Sequence, residues 1–245
     1  MQVIGPGTRP TGFTAEIKFV VDASIGEQIR EWARTRLHSD PHGAGPFGDE
    51  YRVSSVYFDT DARDVYHRRG SYGRSKYRIR RYQDDALVFL ERKLRNGSRL
   101  AKRRTTVDLT ILPLLAMPGA LNGDGTAWFR RRVALRGLQP ICQVSYSRVA
   151  RMGTMSDGPA RLTIDERIHA LRTASFTFDA NPGAPVLDGS MILELKYRDV
   201  VPAVFRQLIE EFRLTPRRSS KYRVAVSTLG LVAAPPEEAT RSLDA

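Results

Sequence analysis

The feature that most constrains this chain is a recurring period of two, with apolar side chains on one parity and ions on the other. From Gly12 to Val21, Phe13, Ala15, Ile17, Phe19 and Val21 alternate with Thr14, Glu16, Lys18 and Val20. Successive side chains of an extended chain point to opposite faces, so this segment reads as a strand with one apolar and one polar face. The pattern returns farther on. Lys76, Arg78, Arg80 and Tyr82 alternate with Tyr77, Ile79 and Arg81, and Glu91, Lys93 and Arg95 oppose Val88 and Leu90. The intervening Gln83 to Ala86 reads as a turn, which predicts a hairpin. Further strands are expected over Tyr51–Phe58, Arg99–Leu109 with Lys102 and Arg104 on one parity, and Ile141–Arg151 with Tyr146 and Arg148. Arg161–Glu166 presents Arg161, Thr163 and Asp165 together. Met191–Arg198 sets Glu194 and Lys196 against Met191, Leu193 and Leu195. Arg218–Ser227 reads as a last strand, with Ser220 and Tyr222 on one parity and Lys221 and Arg223 on the other.

Helical signals interrupt the strands. Asp22 or Ser24 caps a helix to about His38 with Ile25, Ile29, Trp32 and Leu37 as its apolar stripe. Asp59-Thr60-Asp61 reads as the cap of a short turn through Arg69, and Thr110–Ala116, Thr126–Leu135 and Pro202–Phe212 read as helices. About eight strands thus carry one apolar face each, and the helices need an apolar surface to cover. If they cover the outside of a curved sheet, the charged faces turn inward. The expected fold is α+β: a closed antiparallel β-barrel forming a charged tunnel, with helices packed outside.

Burying so many like charges is costly without a counter-ion. A cationic tunnel therefore calls for a polyanion, and the few carboxylates in it call for a divalent cation bridging to that anion. A long duplex nucleic acid does not fit inside, and the chain carries no aromatic-glycine RNA motif or zinc-knuckle spacing, so no nucleic-acid partner is expected. The net charge of +12 points the same way, to anionic partners. Basic residues are almost all arginine. The lysines are only Lys18, Lys76, Lys93, Lys102, Lys196 and Lys221, each expected on a strand or strand end, where a compact mobile ammonium can follow a phosphate. The single Cys142 and scattered His exclude a disulfide within the chain and a His-based zinc site. No apolar run is long enough to span a bilayer and no secretory signal opens the chain, so a cytoplasmic location is expected. Residues 1–11 read as a loose lead-in, 12–230 as one domain and 231–245 as a flexible tail.

Six segments, in order, resemble the vacuolar transporter chaperone (VTC) domain of the triphosphate tunnel metalloenzymes. They are Glu16-Ile17-Lys18, Tyr57-Phe58-Asp59-Thr60, Lys76-Tyr77-Arg78-Ile79-Arg80, Glu91-Arg92-Lys93, Glu194-Leu195-Lys196-Tyr197 and Ser220-Lys221-Tyr222. The resemblance implies a polyphosphate polymerase that transfers the γ-phosphate of ATP to inorganic polyphosphate with Mn²⁺ or Mg²⁺. Its alternatives are a tri- or polyphosphate hydrolase and a non-catalytic polyphosphate-binding module. By the same resemblance Lys18, Arg78, Arg80, Lys93, Arg148, Arg161 and Lys221 act on the phosphates, and Tyr146, Arg218, Ser220, Lys102 and Arg104 help hold the nucleotide. Glu194 and Glu16 are the implied metal ligands. Thr14 stands where wider members of the superfamily begin their Glu-x-Glu-x-Lys motif, a departure that weakens the two-metal hydrolase reading. ATP, polyphosphate and pyrophosphate are the expected partners, and a membrane-anchoring partner protein is left open.

Overall fold

The computed structural model describes residues 15–96, 99–117, 125–156, 158–217 and 219–232. The expectations for the lead-in 1–11, for Thr14, for Arg218 and for the tail past Val232 lie outside the described residues.

The first half of the chain holds β1 (Ala15–Val21), α1 (Ala23–Arg36), β2 (His38–Ser39), β3 (Glu50–Asp59) and α2 (Asp64–His67). A 3₁₀ turn over Gly70–Arg74 leads into the hairpin of β4 (Ser75–Tyr82) and β5 (Leu87–Asn96), followed by β6 (Arg99–Asp108). Then come α3 (Leu112–Leu115), α4 (Ala127–Leu135), β7 (Gln139–Met155) and β8 (Gly158–Arg172). The chain continues through β9 (Ala184–Pro185), β10 (Met191–Tyr197), α5 (Ala203–Glu211) and α6 (Lys221–Thr228). The long strands form one antiparallel sheet in the order β1-β10-β8-β7-β3-β4-β5-β6, and the two-residue β2 and β9 attach to β7 and β8.

Period-two patterning puts the apolar faces on the convex side, where α1, α3, α4 and α5 lie. One cluster joins Phe19 and Val21 of β1, Leu193 and Leu195 of β10 and Leu162 and Ile164 of β8 to Ile29, Trp32 and Ala33 of α1 and Phe205 and Leu208 of α5. The Asp22 side chain caps α1 by accepting from the Ile25 N–H. Gly26 allows α1 to sit on the sheet, because a Cβ there would collide with the Met191 sulfur. A second cluster brings Ile79, Val88 and Leu90 of the hairpin together with Phe129 and Val133 of α4 and Leu112 and Leu115 of α3. Each fully buried Phe, Leu or Ile contributes about 1.5–3 kcal/mol. Asp59 is a cap, as expected: its carboxylate accepts from the N–H groups of Thr60, Val65 and Tyr66.

Two expectations are corrected. The sheet is not a closed barrel. Among the described residues β1 pairs only with β10 and β6 only with β5, so no backbone ladder joins the two edges. The sheet nevertheless curls so far that Lys93 on β5 donates to Glu16 on β1 at 2.9 Å. Ladder pairing needs strands about 4.8 Å apart, whereas long charged side chains span a wider seam. The second correction concerns Arg218–Ser227, which forms no strand. Ser220 is an N-cap accepting from the Arg223 N–H, and the residues from Lys221 on are helical. The buried Tyr222, Ala225 and Val226 are spaced by three and one, the inner stripe of a helix. The strand reading rests on Ser220 to Arg223 alone, and the inward Ala225, three residues after Tyr222, breaks that alternation. Lys221 accordingly lies on a helix, unlike the other lysines. The Thr110–Ala116 region is likewise split, a 3₁₀ turn over Leu109–Ile111 preceding the single-turn α3.

Candidate functional site

Register shows which ions meet. Paired residues of neighbouring strands share a face, and on the concave face Lys76, Lys93 and Lys102 lie side by side across β4, β5 and β6. Beside that row runs Tyr57, Arg78, Glu91 and Arg104, and on the far strands Lys196 pairs with Glu16 on one side and Arg161 on the other, and Lys18 with Glu194. The inward direction of the ions, expected from parity alone, is what the sheet shows.

Each site residue expected from the sequence and lying within the described residues reaches this concave face or its rim. Arg80 is buried and donates to Ser55 and to the Tyr146 hydroxyl at 3.1 Å each. Arg148 clamps Asp165 with two nitrogens at 2.6 and 2.8 Å. Arg161 pairs with Asp40 at 2.7 Å and donates to the Tyr51 hydroxyl at 3.0 Å, which places it toward the rim formed by the loop before β3. Lys18 sits between Glu194 at 3.1 Å and Glu16 at 3.7 Å. α6 crosses one end of the groove. Ser220 accepts from Lys76 at 2.8 Å, Lys221 pairs with Asp165, and the Tyr222 ring packs 5.4 Å from Tyr57.

Four residues that the selection above omitted belong to the same face. Glu91, only 2% exposed, accepts from Arg78 at 2.7 Å, Lys102 at 2.7 Å and Arg104 at 2.5 Å. Lys196 holds the second oxygen of Glu194 at 2.9 Å. Lys76 and the fully buried Asp165 complete the set. The parity that selected Arg78, Lys93 and Glu194 carried Lys76, Glu91 and Lys196 as well. With these, every lysine in the chain lies at this one site.

Cations outnumber acids here, and the protonation states show it. Burial pushes the Lys76 ammonium down, and Lys18, Lys93, Arg68 and Arg78 push the same way, to about 7. Burial, with Arg104 and Arg78, takes Lys102 to about 8 in spite of Glu91. Burial likewise lowers Lys196 and Lys221 against the pull of Glu194 and Asp165. Lys18 is raised, since Glu194 and Glu16 together outweigh its burial. The carboxylates shift the other way. Burial would raise Glu91 and Glu194, but Arg78, Arg80, Lys102 and Arg104 around the one, and Lys196, Lys18 and Lys221 around the other, hold both well below the usual range. Even Tyr82, which burial alone would raise, is drawn down to about 7 by Arg80, Arg104 and Lys102. Such a field favours an incoming anion that is multiply charged.

A divalent cation fits this site through a pair of carboxylates. Among the described residues no group of three or more His, Cys, Asp or Glu could hold a metal unaided. Glu16 and Glu194, however, face the same groove around Lys18 and offer hard oxygen donors. Mg²⁺-type ions are commonly bound by one or two carboxylates together with substrate phosphate oxygens. The pair suits a metal shared with a bound phosphate chain.

No curated protein matches the chain by sequence. Two solved structures share the fold. A candidate adenylate cyclase from Bacillus halodurans superposes with a TM-score of 0.54 at 16% identity, covering 84% of this chain and 92% of its own. A candidate adenylyl cyclase from Hippeastrum, described as having a dominant triphosphatase activity, gives 0.52 at 17% identity, covering 88% and 97%. At these identities the likeness concerns the fold alone. Residues 13–230 match the family model of the VTC domain, and the chain belongs to the VTC domain family.

Proposed function

We propose that this protein is a polyphosphate polymerase, transferring the γ-phosphoryl group of ATP to the end of an inorganic polyphosphate chain lying in the concave groove. The observation that carries this reading is the convergence of all the chain's lysines, with Arg78, Arg80, Arg104, Arg148 and Arg161, on one face whose carboxylates cannot neutralise them.

Phosphoryl transfer asks the protein for alignment and for stabilisation of charge on the transferring group. Arg78, Arg80, Arg148 and Arg161 offer planar donor forks that match phosphate oxygens, and the triphosphate is laid along them. Lys18, Lys93 and Lys221 reach the groove from β1, β5 and α6 and hold the acceptor end. That end is already ionised, so no general base is needed. Tyr146 and Ser220 are polar supports for Arg80 and Lys76, and Lys102 and Arg104 sit on Glu91 until a phosphate draws them off. Glu194 and Glu16 would hold Mn²⁺ or Mg²⁺ together with phosphate oxygens, and such an ion supplies Lewis-acid stabilisation of the developing charge. No helix among the described residues is long and apolar enough to cross a membrane.

The test is product analysis. Purified protein with ATP and Mn²⁺ should yield a ladder of polyphosphate on a gel, and Glu194→Ala or Lys221→Ala should abolish it. Loss of one groove arginine, Arg80→Ala, should slow the reaction about 10²–10³-fold. Release of orthophosphate alone would replace the polymerase with a hydrolase, and tight polyphosphate binding with no turnover in any divalent metal would leave a binding module.

A further inference from the structure

A second basic site lies on the convex side of the sheet, outside the groove. A cavity of about 260 Å³ opens between the 3₁₀ turn, the β4–β5 hairpin and α4, lined by Arg74, Arg92, Arg132 and Arg136 with the hydroxyls of Ser71 and Ser75, and by no carboxylate. Arg92 pairs in register with Tyr77 and Arg103, on the parity of Val88 and Leu90, and so faces away from Glu91 and Lys93. Arg132 and Arg136 stand one turn apart at the end of α4.

The arginines are held in place but not neutralised. The Arg136 guanidinium stacks 4.1 Å over the Tyr72 ring and donates to the Ser71 Oγ at 3.2 Å. The Tyr72 hydroxyl in turn donates to the Arg136 carbonyl at 3.1 Å. The buried Nε atoms of Arg92 and of Arg136 have no hydrogen-bond partner. Among the described residues none of the four arginines has an ion-pair partner. A solvated arginine on a helix face is ordinary. A cluster of them around a recess, with inner N–H groups unmatched, is costly unless an anion completes it. Guanidinium forks match the oxygens of phosphate in geometry and charge, and the recess is smaller than the pockets that take drug-sized ligands.

We infer that this convex pocket binds an inorganic phosphate-class oxyanion at a site distinct from the groove. The anion has two available sources, a free phosphate species or the tail of a longer chain. The second is within reach because Ser75 and Leu94 of the pocket adjoin Lys76 and Lys93 at one end of the groove, on the opposite face.

The experiment is equilibrium dialysis with labelled inorganic pyrophosphate and, in parallel, with long-chain polyphosphate. It uses the wild type, Lys93→Met in the groove and Arg74→Gln/Arg132→Gln in the pocket. The last two positions are exposed, and a thermal melt checks that the double variant stays folded. A pocket for free anions gives two pyrophosphate sites per chain. Arg74→Gln/Arg132→Gln then weakens one of them about tenfold or more per lost guanidinium, leaving the site that Lys93→Met affects. A pocket for a chain tail gives one pyrophosphate site of unchanged affinity but a loss of long-chain affinity in Arg74→Gln/Arg132→Gln. A single pyrophosphate site together with unaltered long-chain affinity in that variant overturns the inference. The Lys93→Met arm reports on the groove separately, so either site can fail without the other.

Discussion

Lys76 shows how a charge is set by its neighbours. Its amine is on the parity of Arg78 and Arg80, and that much is plain from the sequence. Its depressed pKa is not, because it arises from burial in the folded groove, together with Lys18 and Lys93 on other strands. The sign follows from linkage. Between about 7 and the ordinary value of 10.5 the unfolded chain carries a proton on this lysine that the folded chain lacks. Without ligand, Lys76 therefore makes stability rise with pH through that window. A polyanion in the groove reverses the balance by favouring the charged form. Tripolyphosphate binding at pH 8 should take up protons, seen by calorimetry in buffers of differing ionisation enthalpy, and Lys76→Met should reduce that uptake. Uptake equal in wild type and variant would assign it to the phosphate, to Lys102 or to Tyr82. Glu91 teaches the same lesson from the acidic side. Its parity with Lys93 was legible, but the three cations it gathers come from β4 and β6, and only strand pairing brings them to it.

Among the elements, the hairpin, α1, α4 and α5 follow from local pattern because their periodicity is long enough to be unambiguous. α6 does not. Ser220 to Arg223 alternate as a strand would, and the helix shows only in the later Ala225 and Val226, fixed by the Ser220 cap and the packing of Tyr222 on Tyr57 and Asp59. The cap does two jobs, since the same hydroxyl accepts from Lys76. Ser220→Ala should cost about 1 kcal/mol of stability in urea titration. It should also weaken tripolyphosphate binding by freeing the Lys76 side chain, and Ser220→Thr should restore both. A stability loss with binding untouched would reduce Ser220 to a helix cap alone.

For the molecule as a whole, the open seam and the excess of inward cations mean that the fold is held against its own electrostatic repulsion. A bound polyanion supplies the missing counter-charge. Tripolyphosphate at a hundred times its Kd should add about 2.7 kcal/mol, which for a domain of this size raises Tm by about 5–10 °C. Sodium chloride at equal ionic strength should give much less. Equal shifts would mean general screening and no site. The sequence by itself determined that each strand has an apolar and an ionic face, and that the ionic faces are cationic, because side-chain direction along a strand depends on nothing beyond the local backbone. Tertiary structure alone decided that the sheet stops short of a ladder-closed barrel, that α6 crosses the groove, and that a separate group of arginines gathers on the convex side. Those outcomes depend on register, curl and helix packing between residues far apart in the chain, which no local period encodes.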